Sequence, residues 1–153
     1  LLLASRLGAS FWLLGPVDPD HRGVVDRLQA ASPVSFLQGK PAEVKLADAY
    51  AASDAVVLPS TWEGFGMPLI ESALASRPLA VSDYPVAQEV ATLGFTWFPV
   101  DDPAPLAAWF ADPDPALLAR NRALARQHFG PDALARRLTE TLARAGLPRL
   151  DAR

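Results

Sequence analysis

A parallel β-sheet covered by helices is the architecture this sequence predicts, and three observations predict it. Short, mostly apolar runs recur at residues 11–14, 34–37, 55–58, 78–81 and 95–99. They read as near-continuous hydrophobic segments, the pattern of strands buried on both faces. Stretches with helical spacing separate them, so strand and helix alternate, which implies parallel pairing and right-handed crossovers.

Each element has its own justification. Residues 1–7 look like the tail of a helix, ended at Gly8. Asp18-Pro19-Asp20 supplies a capping carboxylate and a residue of pre-set φ, and Val24, Val25 and Leu28 follow at helical spacing. Residues 41–52 place Val44, Ala47 and Tyr50 on one side of a helix. The helix expected over 68–75 opens on Pro68, which is tolerated in a first turn because its missing N–H would be unpaired there anyway. A short helix over 85–92 follows the fourth strand. Helices over 103–110, 115–127 and 131–145 close the chain, the first two announced by Asp102-Pro103 and Asp114-Pro115. Helix starts thus account for several of the 15 prolines. The expected fold is a doubly wound, Rossmann-like sandwich, whose ligands bind beyond the carboxyl ends of the strands.

Composition narrows the function. The 153 residues carry 14 Lys+Arg against 17 Asp+Glu, a net charge of −3, half of them are hydrophobic and a fifth charged. That is the balance of one soluble globular domain spanning 1–153. A mildly acidic chain lacks the basic footprint of a nucleic-acid binder. Cysteine is absent, which excludes disulfides, thiolate nucleophiles and thiolate metal ligands. His21 and His128 are far apart and read as surface residues, so no metal site is expected. Leu1-Leu2-Leu3 is cut short by Arg6, so neither a signal peptide nor a transmembrane segment is expected. The chain reads as a piece of something longer, entered partway along a helix. Its basic residues are almost all arginine, with Lys40 and Lys45 the exceptions, a bias of GC-rich bacterial genomes.

The chemistry concentrates after the third strand, in Pro59-Ser60-Thr61-Trp62-Glu63-Gly64-Phe65-Gly66-Met67-Pro68-Leu69-Ile70-Glu71. Two glycines let the backbone approach a ligand or adopt positive φ. The helix start near Met67 offers unpaired N–H groups, expected from Phe65, Gly66, Met67 and Leu69, and a positive dipole end suited to phosphate. Carboxylates repel phosphate, but each accepts two hydrogen bonds at once, as vicinal sugar hydroxyls require. A diphosphate with a hydroxylated ring at each end satisfies all three features, and a nucleotide sugar is such a molecule. Each feature also has a plainer explanation: a solvated loop carboxylate for Glu63, a dipole-favoured first-turn residue for Glu71, a simple turn for Gly64 and Gly66. Trp62 and Phe65 are expected to pack. Asp83 is expected to cap the helix beginning at Pro85.

Glu63-Gly-Phe-Gly-Met-Pro-Leu-Ile-Glu71 resembles the E-x7-E motif of the retaining GT-B glycosyltransferases of the group 1 family. Val34-Ser-Phe-Leu-Gln-Gly39 is similar to that family's V-x-F-x-G strand. Ala49 to Leu58 resembles the helix and strand leading to its P-S, and Pro78 to Glu89 its P-V-V-A-S-D…E segment. The resemblance implies the C-terminal, donor-binding half of a GT-B fold. It implies Glu63 as the catalytic residue on the donor-sugar hydroxyls, Glu71 on the ribose diol, and Gly64, Phe65, Gly66 and Met67 around the sugar and diphosphate. Gly39 and Lys40 would lie by the base. Transfer would proceed with retention, without metal or cofactor, from a nucleotide-diphosphate sugar to an unknown sugar, lipid-linked or small-molecule acceptor. The family's first βα segment, with its phosphate-binding Arg and Lys, and its acceptor domain have no counterpart here. The isolated chain is therefore expected to be inactive, and the protein to be cytoplasmic or held at the inner membrane through the absent portion. Ser72 and Ser76 stand where the family has Ala and Gly, and Gln88 where it has Pro before Glu89.

Three alternatives remain. One is a degenerate, non-catalytic glycosyltransferase-like binding module. Another is a glycoside hydrolase using the two glutamates as an acid–base pair. A dinucleotide oxidoreductase is the weakest, because no G-x-G-x-x-G follows any strand.

Overall fold

Strands and helices alternate as the sequence predicts, and every strand pair is parallel. A computed structural model describes residues 6–32, 35–39 and 43–147, with the backbone alone at Phe36 and Leu37. The strands are β1 (Phe11–Leu13), β2 (Phe36–Gln38), β3 (Val56–Leu58), β4 (Leu79–Val81) and β5 (Phe98–Pro99). The helices are α1 (Arg22–Ala30), α2 (Leu46–Ala52), α3 (Pro68–Leu74), α4 (Pro85–Ala91), α5 (Ala104–Ala111), α6 (Pro115–Phe129) and α7 (Pro131–Arg144). Among the described residues the pairing forms two sheets, β1-β2 and β3-β4-β5. Phe11 lies opposite Phe36 in the first, and Val56 opposite Leu79 and Ala80 opposite Phe98 in the second.

The three-stranded sheet carries the core. Alternation along β3 and β4 sends Leu58, Leu79 and Val81 to one face, where they meet Leu69 and Ile70 of α3, Val90 of α4 and Ala125 of α6. Ala80 and Val57 point the other way, toward Phe98 and toward Leu106 and Trp109 of α5. Both faces are covered, which is why these runs read as continuously apolar. Burying Leu69 or Leu106 completely stabilises the fold by roughly 2 kcal/mol each. The two-stranded sheet differs from expectation: all three residues of β1 are only half-buried, and α1 buries none of its side chains, leaving Val24 and Leu28 exposed. Among the described residues, nothing closes over that apolar stripe.

Local hydrogen bonding explains where elements begin and end. Asp18, Asp102 and Asp114 accept the N–H groups of Asp20, Ala104 and Ala116, the caps expected before each proline-led start. The helix expected over 41–52 begins only at Leu46, because the Asp48 carboxylate reaches back to the Lys45 N–H at 3.0 Å and fixes the first turn there. Pro41 and Ala42 lie outside the described residues. The fifth strand is cut to two residues because the buried Asn121 side chain takes both backbone groups of Thr96, accepting its N–H at 3.1 Å and donating to its carbonyl at 2.7 Å. Thr96 therefore pairs with α6 rather than with a strand. Asp83 is not the cap of α4: it accepts a hydrogen bond from Gln88 Nε2 at 2.6 Å, and Tyr84 stands at the N-cap without a side-chain bond.

The departure at Ser76 also has a conformational consequence. After α3, the Arg77 N–H donates to Ser72 O at 2.9 Å and the Ser76 N–H to Ala73 O at 3.0 Å. That is a Schellman motif, whose central residue must adopt the left-handed conformation. Ser76 does so, with φ of 55°. A β-carbon there costs about 1–2 kcal/mol, partly offset by the smaller backbone entropy Ser loses on folding compared with Gly. Replacing Ser76→Gly should therefore raise the stability by about 1 kcal/mol, read as a higher midpoint of urea unfolding at unchanged slope.

Candidate functional site

The Pro59–Met67 segment joins the carboxyl end of β3 to the start of α3. Gly66 makes the turn: its φ is +76°, and a β-carbon built on it would overlap the Tyr84 hydroxyl beneath. Glycine is required there twice over, for conformation and for space. Gly64, by contrast, has open space where a β-carbon would stand. The backbone donors of the turn divide into spent and unspent groups. Leu69 spends its N–H on Gly66 O at 2.9 Å, and Ile70 and Glu71 spend theirs on Met67 O at 3.0 Å. Leu69 is thus removed from the expected set of donors. Among the described residues, nothing accepts the N–H groups of Phe65, Gly66 and Met67. Met67 at the helix tip is 56% exposed, whereas Gly66 before it is buried.

The two glutamates have different surroundings. Glu71, in the first turn of α3, accepts a hydrogen bond from the Tyr50 hydroxyl of α2 at 2.8 Å. Burial first, and then the bonded Glu71 carboxylate, raise the Tyr50 phenol well above its ordinary value, so it remains a proton donor. Glu63 is half-buried and lies near Tyr84, at the junction of β4 and α4. Tyr84 is likewise raised, by burial and secondarily by the charge of Glu63.

Gly39 ends β2, with φ of +77°. Its carbonyl accepts the Trp12 indole N–H at 2.6 Å, and its N–H donates to Leu13 O at 2.9 Å. It belongs to the other sheet, and no hydrogen bond or ring contact among the described residues ties it to the Glu63–Glu71 segment. Lys40 lies outside the described residues. Phe65 packs as expected, edge-on to Phe129 of α6 at 5.5 Å between ring centres. Trp62 does not: it is 79% exposed beside Glu63, since the turn carries it away from every apolar face. Among the described residues, no three His, Asp or Glu side chains gather as a metal's ligand set. No helix among them is long and apolar enough to cross a membrane.

The family model described as Glycosyl transferases group 1 matches residues 24–111, more than half of the chain and all of the segment just described. The chain belongs to the group 1 glycosyltransferase family. A 62-residue stretch is 40% identical to the serotype-specific mannosyltransferase WbdA of Escherichia coli, covering 40% of this chain and 8% of that protein. A 53-residue stretch is 45% identical to the O-antigen chain mannosyltransferase RfbU of Salmonella typhimurium, covering 35% of this chain and 15% of that one. The fold matches the pneumococcal O-GlcNAc transferase GtfA, crystallised with UDP and GlcNAc, with a TM-score of 0.61 at 19% identity. That match covers 94% of this chain and 31% of GtfA, and it shows the fold: mixed α/β with parallel strands, as in a GT-B glycosyltransferase. The chain therefore spans only a small part of each relative.

Two tyrosines beside this segment, Tyr50 and Tyr84, are not marked as site residues by any sequence pattern. Tyr50 was placed only on an apolar helix face, although a buried tyrosine needs a partner for its hydroxyl, and that need was the available signal. Tyr84 has no local pattern to announce it. The packing of Tyr84 under Gly66 yields a direct test. Gly66→Ala should cost about 2 kcal/mol, from left-handed strain and overlap with the Tyr84 hydroxyl, whereas Gly64→Ala should cost well under half as much. Parallel thermal melts of the two variants measure the difference.

Proposed function

We propose that this chain is the donor-binding portion of a retaining glycosyltransferase that moves a hexose from a nucleotide-diphosphate sugar to an acceptor. The observation that carries this reading is the set of three unaccepted N–H groups, on Phe65, Gly66 and Met67, lying in the chain between Glu63 and Glu71, of which Glu71 is held by the Tyr50 hydroxyl. Such donors, fixed at a helix start, stabilise charge as it develops on a leaving diphosphate and require no reorganisation during reaction. Carboxylates beside a diphosphate must engage hydroxyls instead, Glu63 at the hexose end and Glu71 at the ribose end. Holding both ends fixes the anomeric carbon for attack. Gly64 leaves the approach to the turn open, and Gly39 and Lys40 would meet the base.

The resemblance to the group 1 family implies a transfer that draws on no metal or cofactor, with backbone donors meeting the charge of the diphosphate. The mannosyltransferase names of WbdA and RfbU favour a hexose donor, and the UDP and GlcNAc in the GtfA crystal favour a nucleotide sugar. The doubly wound strand order 3-2-1-4-5-6 becomes β2-β1 and β3-β4-β5 when its first strand is left out, which supports a preceding βα segment as the supplier of phosphate-binding cations. We place the sugar, lipid-linked or small-molecule acceptor on sequence outside these 153 residues, and the reaction on the cytoplasmic side of the membrane.

Calorimetric titration with GDP- and UDP-hexoses tests the assignment. Glu71→Gln should weaken binding of nucleotide and nucleotide sugar alike by about tenfold, the share of a hydrogen bond to a charged group. Glu63→Ala should remove only the part of the affinity that depends on the hexose. Unchanged affinity in both variants, in a chain that does bind donor, would overturn the reading. Coupled assay of nucleoside diphosphate release should find no transfer by the 153-residue chain alone.

A further inference from the structure

One buried group in this region is left unused by the proposed chemistry. Tyr84 is 2% exposed, sits among Leu58, Leu69, Ile70 and Ala87, and its hydroxyl has no hydrogen-bond partner. Leaving a buried hydroxyl unpaired is destabilising, and phenylalanine would fill the same space without that cost. The hydroxyl is aimed at the turn: it lies directly beneath Gly66, so closely that no β-carbon fits between them. Glu63 begins that turn, three residues earlier, and is the carboxylate whose charge Tyr84 feels.

We propose that Tyr84 is the positioning residue for Glu63: its buried hydroxyl is the donor that fixes the Glu63 carboxylate when the hexose is bound. This inference rests on the reading of Glu63 as the hexose-binding glutamate. A half-buried carboxylate that must accept from sugar hydroxyls gains by having one of its lone pairs already occupied from the protein side, because that sets its rotamer. Glu71 has such an arrangement in the structure, with the Tyr50 hydroxyl on one oxygen at 2.8 Å. Tyr84 supplies the equivalent group on the other flank, held below the turn by α4 and by the core, where no solvent competes for it. The hydroxyl is fully covered, so Tyr84 acts through Glu63 and does not itself touch the ligand. The proline that follows it, Pro85 at the first position of α4, fixes the backbone that aims the ring.

The test is titration of the full 153-residue chain and of Tyr84→Phe, Glu63→Gln and the double variant. The probes are GDP and UDP and their hexose conjugates. Tyr84→Phe should bind nucleoside diphosphates within twofold of the parent and the hexose conjugates about tenfold more weakly, with a melting temperature equal to or above the parent's. In the Glu63→Gln background the same substitution should change hexose-conjugate affinity less than twofold, since its effect passes through the carboxylate. Equal hexose-conjugate affinity in Tyr84→Phe and parent would overturn the inference while leaving Glu63's role intact. So would a loss shared equally by nucleotides and conjugates with a lowered melting temperature, which would make Tyr84 only a wedge under the turn. If Glu63→Gln itself leaves conjugate binding unchanged, or the parent binds no nucleotide, the underlying reading of Glu63 fails and this inference fails with it.

Discussion

The contact between Gly66 and the Tyr84 ring is the constraint on which the rest of the site depends. It accompanies a bend of the chain leaving β3 through a left-handed residue, and the N–H groups of Phe65, Gly66 and Met67 around that bend find no acceptor among the described residues. The helix that follows consumes the next donors internally, so the unaccepted set ends at Met67. A bulkier ring support or a residue with a β-carbon at the bend would redirect all three groups together. The geometry is cooperative: one small residue and one large one determine where several backbone dipoles point.

In the proposed function, electrostatics separates the work of the two glutamates. A diphosphate held by backbone donors tolerates nearby carboxylates only when these engage something other than the phosphates. Glu71 is tied to Tyr50 across the gap between α2 and α3, and Glu63 stands beside Tyr84 at the opposite junction. Glu71 thereby has one carboxylate oxygen already occupied from the protein side. Phenols suit this task, since they donate without adding positive charge that would pull a carboxylate into a salt bridge. Burial keeps both tyrosines protonated by raising them above their ordinary value.

Family membership and local chemistry meet in the short segment after β3. The group 1 match extends from residue 24 to residue 111, yet the residues to which the proposed function gives a chemical task are few and clustered. Elsewhere the departures have structural explanations: Ser76 adopts the left-handed conformation that its Schellman motif demands, and Gln88 binds Asp83. Both lie around the core that supports the turn rather than in the turn itself.

The sequence by itself determined the alternation of strands and helices and the capped starts at Asp18, Asp102 and Asp114, and it marked residues 59–71 as the segment on which the proposed chemistry rests. These are local matters, set by period, by proline's fixed φ and by a carboxylate within two residues of the N–H it accepts. Tertiary structure alone decided that β5 stops at two residues, that Trp62 faces solvent, that Leu69's N–H is spent, and that Tyr50 and Tyr84 stand beside the two glutamates. Asn121 lies 25 residues from Thr96, and Tyr50 lies 21 residues from Glu71. Such pairings depend on which helix faces are brought together, and no spacing within a single element encodes that.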